Sequence, residues 1–239
     1  MSPVLWFFHG FLGEPSDGQI FKSLSEKIDL RLFPLAEWIS KQNNVSFKNL
    51  GPLLLKEVQS IDPQGTGPHI LVGYSLGGRI AAHLFLTRPD LFQNLFLLST
   101  HLGLVSESER AARRASDGVW ANKFLYDSWA QVLQDWMSQP VFQGQKRIER
   151  LESAFDRKIL AKMLNELSLG HQDFLVPQLQ PFSNKVNFIY GERDHKFSSL
   201  AREYREAGIS CVEIKKASHR VLRDQGEAAL KVVQQALKL

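Results

Sequence analysis

A serine in the sequence Gly73-Tyr74-Ser75-Leu76-Gly77 has the G-x-S-x-G spacing that places a nucleophilic hydroxyl on a sharp turn. An apolar run at residues 69–74 precedes this serine, and residues 76–87 show helical periodicity. A strand before the turn and a helix after it are the context that exposes the hydroxyl above a sheet. The spacing and its context together predict that Ser75 reacts as a nucleophile or a base.

A serine hydroxyl reacts at neutral pH only when an imidazole takes its proton and a carboxylate fixes that imidazole. In hydrolases with this turn the acid and the histidine follow the serine along the chain, each on a loop after a late strand. An apolar run at 186–190 leads to Asp194, and another at 211–214 leads to His219. We therefore predict a catalytic triad of Ser75, Asp194 and His219.

Two neighbours of Asp194 compete for roles in this triad. Glu192 lies on the same loop, and His195 is adjacent to Asp194. His195 is a poor candidate for the base if Asp194 orients it. The side chains of two adjacent loop residues rarely contact each other and a serine on another loop at the same time. The other histidines lack a metal-ligand spacing, so we expect no metal site and structural roles for His69, His83, His101 and His171.

The oxyanion donors of such a site are backbone N–H groups, one from the residue after the nucleophile and one from a loop after an early strand. Leu76 supplies the first. The apolar run at residues 4–8 ends in His9-Gly10, which makes Phe11 the second donor. Phe11 could instead be a hydrophobic lid residue, and we expect His9 to brace the loop.

Short apolar runs alternate with longer stretches of helical period, as in a parallel sheet with helices on both faces. The predicted strands are 4–8, 30–33, 69–74, 95–99, 186–190 and 211–214, and the predicted helices are 46–60, 76–87, 198–207 and 227–237. Together with the serine turn, this order predicts an α/β-hydrolase fold with a mostly parallel sheet.

The segment at about 103–180 differs in composition and periodicity from the rest of the chain. It is rich in Arg, Gln, Glu and Trp, and it shows amphipathic helical spacing without a convincing strand. An insertion at this point lies over the carboxyl ends of the strands, where open α/β folds bind ligands. We predict one domain over residues 1–239 that carries this segment as a helical cap.

Composition excludes several other classes of protein. The fractions of hydrophobic and charged residues, 44% and 23%, are those of an ordinary globular domain. No apolar run is long enough for a membrane span, and the single Cys211 excludes an internal disulfide, so we expect a cytoplasmic protein without membrane insertion. The net charge of +4 comes from scattered Lys and Arg residues, which disfavours a nucleic-acid partner.

Several stretches together resemble one family within this fold, the 2-succinyl-6-hydroxy-2,4-cyclohexadiene-1-carboxylate synthases of menaquinone biosynthesis. They span nearly the whole chain. The stretches are Phe8-His9-Gly10-Phe11, Gly73-Tyr74-Ser75-Leu76-Gly77-Gly78-Arg79, Glu109-Arg110-Ala111-Ala112-Arg113-Arg114-Ala115-Ser116-Asp117 with Trp120, Asp135-Trp136-Met137-Ser138-Gln139-Pro140-Val141-Phe142, and Gly191-Glu192-Arg193-Asp194-His195-Lys196-Phe197.

The resemblance implies elimination of pyruvate from a cyclohexene carboxylate that bears succinyl and enolpyruvyl groups. The reaction would need no cofactor, and Ser75 would act as a base. The implied partner is a small anionic polycarboxylate, bound by a monomer or weak homo-oligomer. The resemblance places Arg79 and Arg113 on the substrate carboxylates, and it places Tyr74, Trp136 and Phe142 along the pocket.

The position of Arg79 supports this role independently, because it lies one helical turn after Ser75. A further substrate arginine expected in the cap has no matching sequence frame among Arg147, Arg150 and Arg157.

Two other functions compete with the synthase. The runner-up, which the triad alone supports, is a serine hydrolase of a small ester, thioester or carbon-carbon bond. A silent binding protein is the third alternative, because residues 33–38 replace a Pro-Gly-His-Gly segment of the family and Ser218 replaces a glycine before the histidine. Loss of turnover in a Ser75→Ala variant would exclude this third alternative.

Overall fold

A six-stranded parallel sheet forms the centre of the computed structural model, which describes residues 2–65, 67–143, 145 and 148–239. The strand order across the sheet is β2-β1-β3-β4-β5-β6. The strands are β1 (Val4–Phe8), β2 (Asp29–Phe33), β3 (His69–Tyr74), β4 (Phe92–Leu98), β5 (Val186–Gly191) and β6 (Ser210–Ile214). This architecture confirms the predicted α/β fold class.

Helices cover both faces of the sheet. They are α1 (Leu35–Ser40), α2 (Leu50–Ile61), α3 (Leu76–Thr87), α4 (Glu107–Tyr126), α5 (Trp129–Met137), α6 (Arg157–Glu166), α7 (Val176–Leu179), α8 (His195–Glu206) and α9 (Val221–Leu237). Shorter 3₁₀ helices occupy Pro15–Leu24, Pro140–Phe142, Glu152–Ala154, Leu169–His171 and Gln180–Lys185. None of the described helices is both long enough and apolar enough to cross a membrane.

The alternation of side chains along each strand builds two cores, one on each face of the sheet. In β1, Leu5 and Phe7 belong to the core under α9, whereas Trp6 and Phe8 belong to the core under α2 and α3. All five residues of β1 are buried. Burial on both faces explains why the central strands β1 and β3 are near-continuous apolar runs in the sequence.

The predicted strands and helices differ from the structure mainly at their ends. Strands β1 and β3 and helix α3 have the predicted bounds. Helix α8 begins at His195 instead of residue 198, because the carboxylate of Asp194 accepts the backbone N–H of Phe197 and caps it. Helix α1 was not predicted, since six residues after Pro34 are too few to show a period.

The chain between β4 and β5 holds α4 to α7 and contains no strand among its described residues. We refer to it as the helical segment. Its two long helices, α4 and α6, pack against each other. Phe124 of α4 and Leu160 and Leu164 of α6 are buried in the same core as Trp6 and Phe8 of the sheet. This shared core fixes the helical segment on the sheet.

Candidate active site

Ser75 lies in the tight turn between β3 and α3, with a backbone φ of 52° and ψ of −112°. A positive φ is strained for a residue with a Cβ and persists only where the surroundings enforce it. The N–H of Ser75 donates to the carbonyl of Leu98 at 2.9 Å, and its carbonyl accepts the N–H of Arg79 at 3.2 Å. These bonds hold the hydroxyl at the carboxyl edge of the sheet.

Gly77 allows α3 to start directly against strand β1. A Cβ built on Gly77 would collide with the backbone carbonyl of Phe8 and would lie 2.5 Å from the carbonyl oxygen of His9. Both obstacles are backbone atoms, which cannot move aside as a flexible side chain could. The second glycine of the motif is therefore required by the close approach of helix and strand.

The structure brings the three predicted triad residues together. Nδ1 of His219 lies 2.9 Å from Oδ2 of Asp194, and Nε2 of His219 lies 3.3 Å from Oγ of Ser75. Asp194 and His219 are each only 5% exposed. When Nδ1–H donates to the carboxylate, Nε2 presents its lone pair to the serine hydroxyl, which is the arrangement needed to remove that proton.

The two competing residues lie outside this arrangement. The Glu192 carboxylate accepts from Lys215 Nζ at 3.0 Å and from the backbone N–H of Lys216 at 2.8 Å. His195 is exposed at the start of α8. The hydrogen bonds of the structure therefore favour Asp194 over Glu192 and His219 over His195.

Backbone hydrogen bonds tie the acid loop to the histidine loop. The N–H of Arg193 donates to the carbonyl of Ala217 at 2.9 Å. Ser218, immediately before the histidine, donates both its N–H and its hydroxyl to the carboxylate of Asp224. Serine in place of the glycine expected from the resemblance thus adds one hydrogen bond, from its hydroxyl, that fixes the loop, and the triad geometry is retained.

The predicted oxyanion donors come from a turn and a helix start on neighbouring elements. Gly13 N–H donates to the carbonyl of Gly10 at 3.0 Å, and the residue before it, Leu12, has a φ of 55°. Phe11 lies within this turn. Leu76 is the first residue of α3, so its N–H is one of those that a helix leaves without an internal acceptor.

His9 braces the same turn, as predicted. Its Nδ1 lies 2.9 Å from the carbonyl oxygen of Gly10, so that nitrogen carries the hydrogen and donates. Burial lowers the pKa of His9 below its usual 6.5, which keeps the ring neutral. A neutral, buried ring suits a structural role.

Ser75 and His219 open onto two cavities. The first, of about 340 Å³, is lined by both predicted substrate arginines, Arg79 and Arg113, together with Lys196. We call it the arginine chamber. The second, of about 290 Å³, is lined mainly by apolar side chains, which include Phe11, Leu12, Met137, Ile148 and Leu222, and its charged lining residues are Asp17, Arg150, Arg220 and Arg223. We call it the apolar chamber.

Trp136 and Phe142 stand in the walls of both chambers. The Phe142 ring lies 5.9 Å from the His219 ring between centroids, and the Trp136 ring lies 4.7 Å from that of Phe11. Tyr74 lines the apolar chamber, with its ring 5.6 Å from the His219 ring. All three aromatic residues predicted along the pocket therefore lie beside the triad.

Arg79 is a buried cation in the arginine chamber. It is 8% exposed, its Nη1 donates to the carbonyl of Leu167 at 3.0 Å, and its guanidinium stacks 5.3 Å above the Phe47 ring. Burial, together with the charge of Arg113, lowers the pKa of Arg79 to about 9. Because a guanidinium stays protonated near neutral pH, its burial has a free-energy cost that a bound anion would offset.

Arg113 is less deeply buried than Arg79 and has a protein partner. Its Nε donates to both carboxylate oxygens of Asp117, at 2.9 and 2.8 Å. Asp117 is itself only 3% exposed. This bond holds the guanidinium of Arg113 in the chamber wall and leaves its Nη groups for other partners.

The other arginines considered from the sequence have different surroundings. Arg150 lines the apolar chamber, whereas Arg157 donates to the backbone carbonyls of Phe124 and Asp127. Arg147 lies outside the described residues.

Several polar residues of the chamber walls had no predicted role in the site. His101, expected to be structural, and Lys196 line the arginine chamber, and Arg220 lines the apolar chamber. Burial lowers the pKa of His101 to about 3, so its ring is neutral. A signal for Arg220 was present, since it immediately follows the triad histidine.

Comparison with known proteins shows the family to which the chain belongs. Residues 55–222 match the family model described as alpha/beta hydrolase fold. A protein of Yersinia pestis named 2-succinyl-6-hydroxy-2,4-cyclohexadiene-1-carboxylate synthase is 33% identical over 209 residues, covering 85% of this chain and 76% of its own length. A Haemophilus influenzae protein, named provisionally for the same activity, is 35% identical over 227 residues, covering 89% and 88%.

Solved structures share the fold. The structure of MenH from S. aureus has a TM-score of 0.85 at 21% identity and covers 99% of this chain and 93% of its own. An esterase from Thermogutta terrifontis has a TM-score of 0.73 at 16% identity and covers 100% and 90%. At these identities the likeness establishes the α/β-hydrolase architecture, which supports more than one chemistry.

Proposed function

The chain belongs to the 2-succinyl-6-hydroxy-2,4-cyclohexadiene-1-carboxylate synthases of the α/β-hydrolase fold, and from this membership we propose how its residues eliminate pyruvate. The enzyme is a carbon-oxygen lyase that acts without ester hydrolysis. Its substrate is a cyclohexene carboxylate with a succinyl group on one ring carbon and an enolpyruvyl ether on another. The product is the corresponding cyclohexadiene, and the enolpyruvyl group leaves as pyruvate.

The chemistry of this substrate explains why a hydrolase triad suits a lyase. The ring proton on the carbon that bears the succinyl group is acidified by the adjacent ketone. Its removal places negative charge on the ketone oxygen, and the ring double bond then shifts to expel the enolpyruvyl oxygen. The enzyme therefore needs a base for one C–H bond and hydrogen-bond donors for one developing oxyanion.

We assign the base to Ser75. As the serine oxygen takes the ring proton, Nε2 of His219 takes the hydroxyl proton across the 3.3 Å contact. Asp194 stabilises the resulting imidazolium through its 2.9 Å hydrogen bond to Nδ1. The N–H groups of Phe11 and Leu76 bind the ketone oxygen as it becomes negative. The imidazolium then gives its proton to the departing enolate, so the enzyme returns to its starting state.

The arginine chamber supplies the cations that a polycarboxylate needs. Arg79 lies one turn after Ser75 and is buried, and Arg113 is fixed by Asp117 in the same wall. Guanidinium groups pair with carboxylates through two parallel hydrogen bonds, which fixes orientation as well as charge. We propose that these two arginines hold carboxylates of the substrate so that the ring proton faces Ser75. The helical segment, which contributes Arg113, Trp136 and Phe142, acts as the cap.

The observation that carries the proposal is that one serine–histidine pair opens onto a chamber with a buried arginine. The test is to supply the purified protein with the enolpyruvyl substrate made in situ, and to follow pyruvate and the diene absorbance. An activated ester is assayed in parallel. We expect pyruvate release that is lost in Ser75→Ala. Ester turnover without pyruvate release would make the protein a serine hydrolase and would refute the assignment.

A further inference from the structure

Arg220 immediately follows the triad histidine and lines the apolar chamber together with Ser75. It is only 6% exposed. Its Nη2 lies 2.6 Å from Sδ of Met137, and its guanidinium carbon lies 4.5 Å from the centre of the Phe142 ring. The cation is thus held between the histidine loop and the cap, inside a chamber whose other walls are mainly apolar.

The three arginines of the apolar chamber differ in exposure. Arg150 donates to both carboxylate oxygens of Asp17 at 2.9 Å, and it lies 3.7 Å from Glu14. Arg223 is exposed to solvent. Arg220, at 6% exposed, is the most deeply buried of these three guanidinium groups. Its guanidinium has five N–H donors, enough to bind a ligand as well as a protein partner.

The positions of its three carboxylates determine how the substrate can occupy the two chambers. The succinyl arm consists of a ketone, two methylenes and a terminal carboxylate, whereas the other two carboxylates belong to the ring and to the enolpyruvyl ether. The predicted oxyanion donor Phe11 stands in the wall of the apolar chamber. A ketone oxygen bound at Phe11 and Leu76 would direct its methylenes along Leu12, Met137 and Leu222, which are suited to an aliphatic chain.

We propose that Arg220 binds the terminal carboxylate of the succinyl arm, and that the substrate straddles Ser75 with this arm in the apolar chamber. The ring and enolpyruvyl carboxylates then face Arg79 and Arg113 on the other side. This inference rests on the proposed function, because it takes the succinyl substrate as given. It makes Arg220 a residue that selects for an acidic arm of this length.

The test compares two substrates in three proteins. The substrates are the natural succinyl acid and its terminal carboxamide, which keeps the shape of the arm and removes its charge. The proteins are the wild type, Arg220→Met and the control Arg202→Met, which removes one exposed charge from α8. The readouts are KM and kcat for pyruvate release.

We expect Arg220→Met to raise KM for the acid about 10- to 100-fold, the usual size of a charge-assisted hydrogen bond, with kcat nearly unchanged. The carboxamide should bind the wild type correspondingly weakly, and Arg220→Met should not weaken it further. Arg202→Met should match the wild type. The conservative variant Arg220→Lys keeps a cation and should retain a preference for the acid. This second variant tests the inference if Arg220→Met does not fold.

Two outcomes would overturn the inference and leave the proposed function intact. One is an unchanged KM for the acid in Arg220→Met. The other is an equal loss with acid and carboxamide, which would assign Arg220 to holding Met137 and Phe142 in place. Absence of pyruvate release by the wild type would instead be a failure of the proposed function itself.

Discussion

The guanidinium of Arg79 donates to the carbonyl of Leu167 at 3.0 Å, which joins the first turn after the nucleophile to the end of helix α6. The bond crosses from the sheet side of the molecule to the helical segment. Arg79 therefore has two functions in this account. In the proposed mechanism it presents a buried cation to the substrate, and its bond to Leu167 ties the helical segment to the turn of Ser75.

Removal of this cation should lower catalysis strongly. We expect Arg79→Met to reduce kcat/KM for pyruvate release about 10- to 100-fold, because a charge-assisted hydrogen bond to a substrate carboxylate is lost. The matched control is Arg88→Met at the end of the same helix, where Arg88 is paired with Asp90 at the surface. Equal activity of the two variants would show that Arg79 does not contact the substrate.

Loss of the proposed triad carboxylate should lower kcat and leave the protein folded. Asparagine remains a good cap for helix α8, so Asp194→Asn is expected to stay folded. It cannot accept the Nδ1–H of His219 in the same way, and kcat should fall about 10³- to 10⁴-fold. Glu192→Gln serves as the control and should retain nearly full kcat. A larger loss in Glu192→Gln would transfer the acid role to that residue.

Much of the candidate site follows from the sequence because each residue of the proposed triad follows the end of a strand. A strand that ends at Tyr74, Gly191 or Ile214 delivers the following loop to one edge of the sheet, so chain order alone brings Ser75 near His219. These relationships depend on local patterns, which the sequence displays directly.

The walls of the two chambers could not be predicted in the same way. The contact between Arg220 and Met137 joins residues 83 positions apart, and that between Arg79 and Leu167 joins residues 88 apart. Such contacts depend on where the helical segment packs over the sheet, and the periodicity of the sequence does not predict that position. The same limitation explains why His101 was expected to be structural although it lines the arginine chamber.

Two glycine substitutions should have opposite effects on stability. Gly77→Ala places a Cβ against backbone carbonyls of β1, so the free energy of unfolding should fall by about 1–3 kcal/mol or more, with loss of activity. Gly118 lies inside α4, and a Cβ there meets no atom within 4 Å. Gly118→Ala should therefore add about 0.5–1 kcal/mol. Urea unfolding of both variants measures the effect, and a stable Gly77→Ala would contradict the close packing of α3 on β1.

Acid should destabilise the protein partly through His83. Burial, together with the nearby charge of Arg79, lowers the pKa of His83 to about 4. The unfolded chain takes up the proton near pH 6.5, so stability is lost as pH falls from about 6.5 towards 4. Between pH 7 and 5, the free energy of unfolding of His83→Gln should fall by about 1 kcal/mol less than that of the wild type. This difference is smaller than the pKa shift alone would give, because the ring is partly solvated. An unchanged pH dependence of urea unfolding would contradict this.

The central claim is that Ser75 acts as the base that removes the ring proton next to the succinyl ketone. The most direct measurement is single-turnover pyruvate release from substrate deuterated at that ring carbon, with mass spectrometry of the quenched enzyme. The account predicts slower release from the deuterated substrate, no release by Ser75→Ala, and no mass added to Ser75. Equal rates for the two substrates, together with a covalent adduct on Ser75, would contradict it and identify the serine as a nucleophile.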